Sequence, residues 1–352
     1  MLFTPLPSVV IWDITYACPL RCSHCYSESG RRPARQLPLE DSLRLCDALV
    51  SMRPRRVYIS GGEPLLLKGL PQVVRRFLGG GFPISLHTSG FNVDEESAAW
   101  MGQLVSSIHV SVDGADAATH DFIRGRQGSF EEAMRALCLL DRLAAQRTDG
   151  DGRPIEFGID FSVVQSNFHQ IERLCAEVTP RFPHLRFLSF GAAVPSGLAS
   201  REGYAELELL SEEQLAVLRD RDFRLRLLAL APAVAQVSVS DNLELQMHPD
   251  RCTPGSACVN VMQIEPDGQV RAMPIYEGTV GNILEDSPEV IWRRAQEHRH
   301  DAFVVRELST VRTMRDWARA ARNIDRHFAS SAELVRISRR EEYTGRVHRN
   351  NF

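Results

Sequence analysis

Three cysteines stand close together near the start of the chain, in the run Cys18-Pro-Leu-Arg-Cys22-Ser-His-Cys25. Three thiolates at C-x3-C-x2-C spacing on one short loop can hold three corners of a [4Fe–4S] cube, and such cubes ordinarily take four cysteines. One iron would then lack a protein ligand and could bind a substrate or cofactor instead of only passing electrons. Two other readings compete. A zinc site draws four ligands from paired C-x2–4-C or C/H motifs, and although His24 lies inside the triplet, the next histidine, His87, is far along the chain. A disulfide framework belongs to small secreted domains, whereas this chain has 352 residues. The open cluster is the preferred reading.

Such a loop needs a scaffold, and the first 200 residues read as one. Short β-branched and aromatic runs alternate with segments of helical period. Strands are expected over 9–15, 56–60, 83–88, 108–112, 156–164 and 185–190. A helix is expected over 39–52, and others begin near Leu70, Asp94, Ser129 and Asn167. Ser129 followed three residues later by Glu132 has the form of a capping box. β–α units in series imply a parallel sheet with right-handed crossovers, and a partial barrel is its natural closure.

The strands depart from the continuous Val/Ile/Leu expected of buried parallel strands. Polar residues recur at alternate positions: Ser85 and His87; His109, Ser111 and Asp113; Glu156, Asp160 and Ser162. An inner barrel face carrying them is expected to hold a polar ligand and water. In a parallel barrel, active residues sit at the C-terminal strand ends. The cysteine triplet follows strand one, Gly61-Gly62-Glu63-Pro64 follows strand two, Thr88-Ser89-Gly90 follows strand three, and Asp113-Gly114 ends strand four. All four land on one rim.

With the triplet followed by the aromatic Tyr26, and with Gly61 to Pro64 intact, the chain resembles the radical S-adenosylmethionine (SAM) enzymes over roughly residues 8 to 200. The resemblance implies an α/β fold, a partial (β/α)6 TIM-like radical SAM barrel, here with a small α+β C-terminal extension. It implies a [4Fe–4S] cluster on Cys18, Cys22 and Cys25, with SAM chelating the open iron. The implied cofactor-binding set is Tyr26 beside the adenine, Gly61, Gly62, Glu63, Pro64, Thr88, Ser111 and Asp113 towards the ribose, Arg124 on the SAM carboxylate, and Ser162. The implied chemistry is reductive cleavage of SAM and hydrogen abstraction from a substrate C–H by the 5′-deoxyadenosyl radical. Weak candidates for the group that finishes the reaction are Asp160, Glu156 and His87.

Beyond residue 200 the alternation stops. A helix is expected over 210–230, Asp267-Gly268 between two β-prone runs signals a hairpin, and Trp292 falls in a helical segment. This order resembles the SPASM extension or its shorter relative, twitch, in degenerate form. No cysteine follows Cys258, and Met273 stands where the family usually has one. Cys252 and Cys258 remain a possible auxiliary site, open between no cluster, one cluster with unusual ligands, and a zinc site or redox pair. From Arg312 the chain is rich in arginine; Met314, Trp317, Ile324 and Phe328 lie loosely at helical spacing, and the arginines read as a solvated face. The expected organisation is a barrel over 1–200, a helical linker over 201–245, the degenerate SPASM/twitch-like domain over 246–300 and an Arg-rich helical segment over 301–352.

Composition excludes several function classes. At 43% hydrophobic and 24% charged, with a formal net charge of −4, the chain reads as an ordinary soluble protein with no call on nucleic acid or membrane. Lys68 is its only lysine, which leaves almost no room for Schiff-base chemistry. Eight cysteines without a secretory signal point to the reducing cytoplasm. The resemblance implies a substrate that is a ribosomally made peptide (crosslinked, epimerised or oxidised) or, alternatively, a small natural-product intermediate. A non-catalytic iron–sulfur electron-transfer or leader-binding protein is a distant alternative. The implied partners are a reductase such as flavodoxin or ferredoxin and, because only seventeen residues precede Cys18, a separate leader-peptide-binding protein.

Overall fold

The computed structural model describes residues 6–147, 154–252 and 260–345. Strands β1 (Val9–Asp13), β2 (Arg56–Ser60), β3 (Ile84–Thr88), β4 (Ser107–Ser111), β5 (Phe157–Val163) and β6 (Phe187–Ala192) lie side by side in chain order, every pair parallel. Each lies within two residues of its expected ends. Between them run α1 (Leu39–Met52), α2 (Leu70–Gly79), α3 (Glu95–Leu104), α4 (Ala117–Arg124) and α5 (Ser129–Arg147). The fold is the expected α/β partial barrel.

Alternation along each strand separates two faces. Val57 and Ile59, Ile84 and Leu86, Ile108 and Val110, and Phe157 and Ile159 are fully buried in the hydrophobic core. On the alternate positions Tyr58, His87, His109 and Asp160 are only partly covered and form the inner face, with Ser85 buried among them. Each fully buried aliphatic or aromatic side chain contributes about 1.5–3 kcal/mol, so the core locks the strand register that sets the height of every inner residue.

The helix starts show how local chemistry fixes the elements. Asp94 caps α3 in a reciprocal capping box with Ser97. The box expected at α5 does not form. Asp121 of α4 accepts from Gly128 N, the Ser129 hydroxyl and Phe130 N, while Glu132 pairs with Arg135. A carboxylate on the neighbouring helix outcompetes the local one, and α4 and α5 are tied at their junction. The helix expected near Asn167 is a mixed run: 3-10 turns, α6 (Ile171–Arg173) and a π-helical stretch over Leu174–Val178.

The chain then adds α7 (Tyr204–Leu207), α8 (Glu212–Arg219), α9 (Arg221–Leu230) and β7 (Gln236–Ser240), which pairs parallel with β6. The single helix expected over 210–230 is divided at Asp220, whose carboxylate caps α9 by accepting from Asp222 N. Strand β8 (Val261–Ile264) returns to the opposite edge and pairs parallel with β1, followed by β9 (Gln269–Arg271) and β10 (Thr279–Asn282), both antiparallel to their neighbours. The Asp267-Gly268 hairpin is present, with Gly268 at φ +84°. One sheet of ten strands results, in the order β10-β9-β8-β1-β2-β3-β4-β5-β6-β7.

Helices α10 (Pro288–Arg299), α11 (Ala302–Ser309), α12 (Met314–Phe328) and α13 (Ser331–Ser338) complete the described chain. Met314, Trp317 and Ile324 of α12 are buried, as their spacing predicts. The arginines are not uniformly solvated. Arg336 and Arg340 are tucked against Glu28 and Glu277, and Arg340 also faces Asp325. Among the described residues, no helix is long and apolar enough to cross a membrane.

Candidate functional site

The cysteine loop leaves the C-terminal end of β1 and is held on several sides by backbone. Gly62 N donates to Thr15 O at 2.7 Å and Glu63 N to Ala17 O at 2.8 Å, lacing the loop after β2 to the chain that enters the triplet. A Cβ at Gly62 would stand 2.1 Å from Ala17 O, so only glycine permits this approach. On the far side, Arg21 N donates to Arg124 O at 3.0 Å, Ser23 N to Ile123 O at 2.8 Å and Leu198 N to Cys25 O at 3.0 Å. Gly197, at φ +54°, lies so near that a Cβ would meet Tyr26 O at 2.1 Å.

Cys18, Cys22 and Cys25 are free thiols. Burial pushes Cys18 up to about 12 and Cys22 up to about 11, each with its neighbouring cysteines adding to the rise. Their sulfurs do not form one of the ligand groups that close to within 4.8 Å among the described residues. Ligands of a single zinc ion would close that far, whereas cluster cysteines each take a different iron.

Beside Cys22 lies a buried polar group that the sequence reading divided differently. Asp113 is fully buried. Its Oδ1 accepts from Ser162 N at 2.9 Å, and its Oδ2 lies 2.7 Å from Arg124 Nε and 3.6 Å from His24 Nε2. Arg124 also points Nη1 at Cys22 Sγ, 3.9 Å away. Burial opposes the charge on Asp113, but Arg124 and then His24 outweigh it and hold the carboxyl below its usual range. Arg124, expected on the SAM carboxylate, pairs here with a protein carboxylate through Nε. Burial lowers His24 to about 4, and its Nδ1 is buried with no hydrogen-bond partner.

Tyr26, expected beside the adenine, has its hydroxyl engaged by the protein. That hydroxyl donates to Asp13 Oδ1 and lies 3.3 Å from Ser60 Oγ, turned back onto β1 and β2. His24, noted in the sequence as lying inside the triplet, is brought against Asp113 by the fold. Its signal was present as the one aromatic between Cys22 and Cys25.

Glu63 is fully buried and spends its carboxylate on the framework. Oε1 accepts from Leu65 N and the Thr88 hydroxyl, and Oε2 from Ser89 N and the Ser89 hydroxyl, at 2.6–3.2 Å. Thr88 Oγ1 accepts in turn from Gly90 N. Glu63 and Thr88 therefore join the β2 and β3 strand ends and do not reach for a ligand. Pro64 is buried at the start of the 3-10 turn that follows. Ser111 and Ser162 are half-buried on the inner face, and Ser111 is in register with Asp160. Asn167, expected only as a helix start, braces this layer by donating to Asp113 O at 3.0 Å and Ser162 O at 2.9 Å.

Below that layer the inner polar residues satisfy one another. Asp160 accepts from His87 Nδ1 at 3.0 Å and from His109 Nδ1 at 3.1 Å. His109 Nε2 reaches Ser107 Oγ, which bonds Ser85 Oγ, which accepts from Arg56. Glu156 does not join them. It precedes β5, at the end of the sheet away from the cysteine loop, 3.5 Å from Arg186. Cys252 is disulfide-bonded and in that state offers no thiolate to a metal, and Cys258 lies outside the described residues.

A parallel open barrel with a cradled three-thiol loop at its strand ends defines an open-cluster iron–sulfur enzyme. Residues 12–143 match the sequence model of the radical SAM superfamily. It is 29% identical over 308 residues to the mycofactocin maturase MftC of Mycolicibacterium smegmatis, covering 82% of this chain and 71% of that one. It is 25% identical over 317 residues to the AdoMet-dependent heme synthase of Oleidesulfovibrio alaskensis, covering 84% and 77%. The crystal structure of Streptococcus suis SuiB bound to its precursor peptide SuiA superposes with a TM-score of 0.62 at 12% identity, covering 88% of this chain and 68% of that one, a likeness of fold. The superfamily match carries a [4Fe–4S] cluster and SAM as cofactors. The residues fit them: three free thiols on one loop, backbone too close at Gly62 for any side chain, and an unpartnered buried His24 nitrogen beside Cys22.

Proposed function

We propose that this radical SAM enzyme matures a ribosomally made peptide by removing hydrogen from one of its C–H bonds. The observation that carries the reading is the cradled loop with three free thiols. Cys18, Cys22 and Cys25 hold the cluster. Gly61 and Gly62 bring backbone against the cofactor, Ser111 and Ser162 present hydroxyls from the layer beneath, and Asp113 positions Arg124 and His24 next to Cys22. When bound, the cluster and SAM supply a one-electron cleavage that ends in hydrogen abstraction; the protein supplies position and exclusion of water. A flavodoxin or ferredoxin delivers the electron, and a separate protein presents the leader peptide. Support for a peptide comes from a relative named as a maturase and from a neighbour of the same fold that binds a precursor peptide.

A small natural-product intermediate is the second reading, favoured by the heme synthase at similar identity over a similar span. Anaerobically reconstituted protein with SAM and dithionite should release 5′-deoxyadenosine, and Cys22→Ala should release none. Release by the variant would overturn the cluster assignment. With turnover established, a candidate precursor peptide encoded beside the gene and a heme-precursor porphyrin are offered in turn. A mass change in the peptide supports the first reading, and a mass change in the porphyrin replaces it with the second.

A further inference from the structure

Inside the barrel, away from the cysteine loop, three side chains of metal-ligating type converge. His87 of β3 and His109 of β4 are cross-strand partners in register, and Asp160 comes from β5 next door. The two imidazoles stack with centroids 4.3 Å apart and planes 17° from parallel, turning the same Nδ1 edge to one carboxylate. His87 Nδ1 lies 3.0 Å from Asp160 Oδ2, and His109 Nδ1 lies 3.1 Å from both carboxylate oxygens. One ligand atom from each residue falls within 4.8 Å of the other two.

We propose that His87, His109 and Asp160 form a mononuclear site for a divalent first-row metal ion such as Zn2+, Fe2+ or Co2+. Two imidazole nitrogens and one carboxylate are the donor set such ions take when three protein ligands leave positions open. A proton on each Nδ1 now bridges to the carboxylate, and a metal ion would occupy that shared edge. The ligands stand on three adjacent, core-anchored strands, which fixes their spacing better than loops would.

The remote edge of His109 is held as well. The other ring nitrogen of His109 is 3.1 Å from Ser107 Oγ, which is held at 2.7 Å by Ser85 Oγ, itself bonded at 3.0 Å by Arg56. Metal-bound histidines ordinarily have such a partner on the remote nitrogen. Tyr58 and Phe187 flank the imidazoles, with ring centroids 5.5 Å from His87 and 4.5 Å from His109 respectively. The ligand side chains keep 14–29% of their exposure, so the open positions face the barrel interior.

The other acidic convergence among the described residues, Glu265, Glu277 and Glu333, lacks this character. Arginines already occupy it, with Arg271 on Glu265 at 3.0 Å and Arg336 on Glu277 at 2.8 Å.

The test uses the full chain with Cys18→Ala, Cys22→Ala and Cys25→Ala, so that the cluster site contributes no metal, titrated anaerobically with Co2+. The expected result is about one Co2+ per chain with a visible d–d band and no thiolate charge-transfer band. His109→Ala and the near-isosteric Asp160→Asn should each weaken binding by about 100-fold or more, since outer-shell changes alone cost 10–100-fold. Glu156→Gln should leave it unchanged. Far-UV circular dichroism and melting curves identify variants that remain folded. Failure of the folded parent to bind Co2+ overturns the proposal, as does unchanged affinity in a folded Asp160→Asn variant. Neither result bears on SAM cleavage, which the Cys22→Ala experiment tests separately.

Discussion

Glu63 carries a charge that the protein uses entirely on itself. Its two oxygens accept four hydrogen bonds from Leu65, Thr88 and Ser89 in a fully buried position. Removing the acceptor strands several buried donors, each costing about 1–3 kcal/mol. Glu63→Ala should therefore lower stability by roughly 2–4 kcal/mol and reduce cluster retention. Urea unfolding and iron content read the two effects, and an unchanged midpoint would sink the framework role. His120 makes a pH prediction. Its Nδ1 accepts from Asp113 N at 3.1 Å, and burial lowers it to about 4, with Arg124 adding to the fall. Between about 6.5 and about 4 the unfolded chain holds a proton that the folded chain refuses. Stability should thus fall as pH drops through that window, by up to about 3 kcal/mol. His120→Asn, which keeps an acceptor, should flatten the slope by one proton's worth in urea titrations at several pH values. The cysteines and glycines were legible in sequence because spacing alone expresses their constraint. The settings of Tyr26 and His24 were not, because each depends on a partner, Asp13 or Asp113, that only folding brings near.

The last helix shows an element held by charge more than by apolar area. Ile337 is its one buried residue. Arg336 and Arg340 instead converge on Glu28, in the segment after the cysteines, and on Glu277, beyond β9, while Asp325 of α12 lies 3.6 Å from Arg340. Taking one partner from a buried ionic group leaves uncompensated charge and costs about 3–5 kcal/mol. Arg340→Ala would leave Glu28 with Arg336 alone, Glu277 with Arg336 and Arg271, and Asp325 without its arginine, so α13 should undock before the barrel unfolds. Hydrogen exchange over residues 331–345 should rise sharply while β3 and β4 stay protected, and unchanged protection would mean that the charges do not hold the helix. The sequence could not announce this clamp. Glu28 lies 308 residues from Arg336, and arginines near a chain end otherwise read as solvated. The six inner strands were legible because each is a short β-branched or aromatic run set between segments of helical period. β7 was missed because, as an edge strand, it buries only Val237.

At the scale of the whole molecule, the sheet runs across the divisions expected near residues 200 and 245. β7 extends it beyond β6, and β8 pairs with β1 along Val9–Trp12, directly below the cysteine loop. The seam carries more than backbone. Gln263 Nε2 donates to Asp13 Oδ2 at 2.8 Å, and the other oxygen of that buried carboxylate accepts from Tyr26, so a residue of the extension, β1 and the cluster loop share one group. Ser196, at the barrel end, donates to Ile275 O at 2.6 Å, and Arg322 of α12 donates to Ser200 O at 2.7 Å. Independent domains meet across surfaces that water can wet, whereas here the two parts share one core, with Met262 and Ile264 buried alongside Val10 and Trp12. The first 200 residues and residues 260–328 should therefore unfold in one transition. Trp317, fully buried in α12, reports the second part by fluorescence once Trp12, Trp100 and Trp292 are replaced by Phe, and a chain keeping only Trp12 reports the first. Coincident urea midpoints in the two single-tryptophan chains, matching far-UV circular dichroism, are the expected outcome. Two separated midpoints would show that the extension folds alone, and Gln263→Ala would then weaken cluster binding without moving the Trp317 transition. If the molecule unfolds as one unit, Gln263→Ala should lower both midpoints together, because the bond it removes fixes the strand that delivers the cysteines.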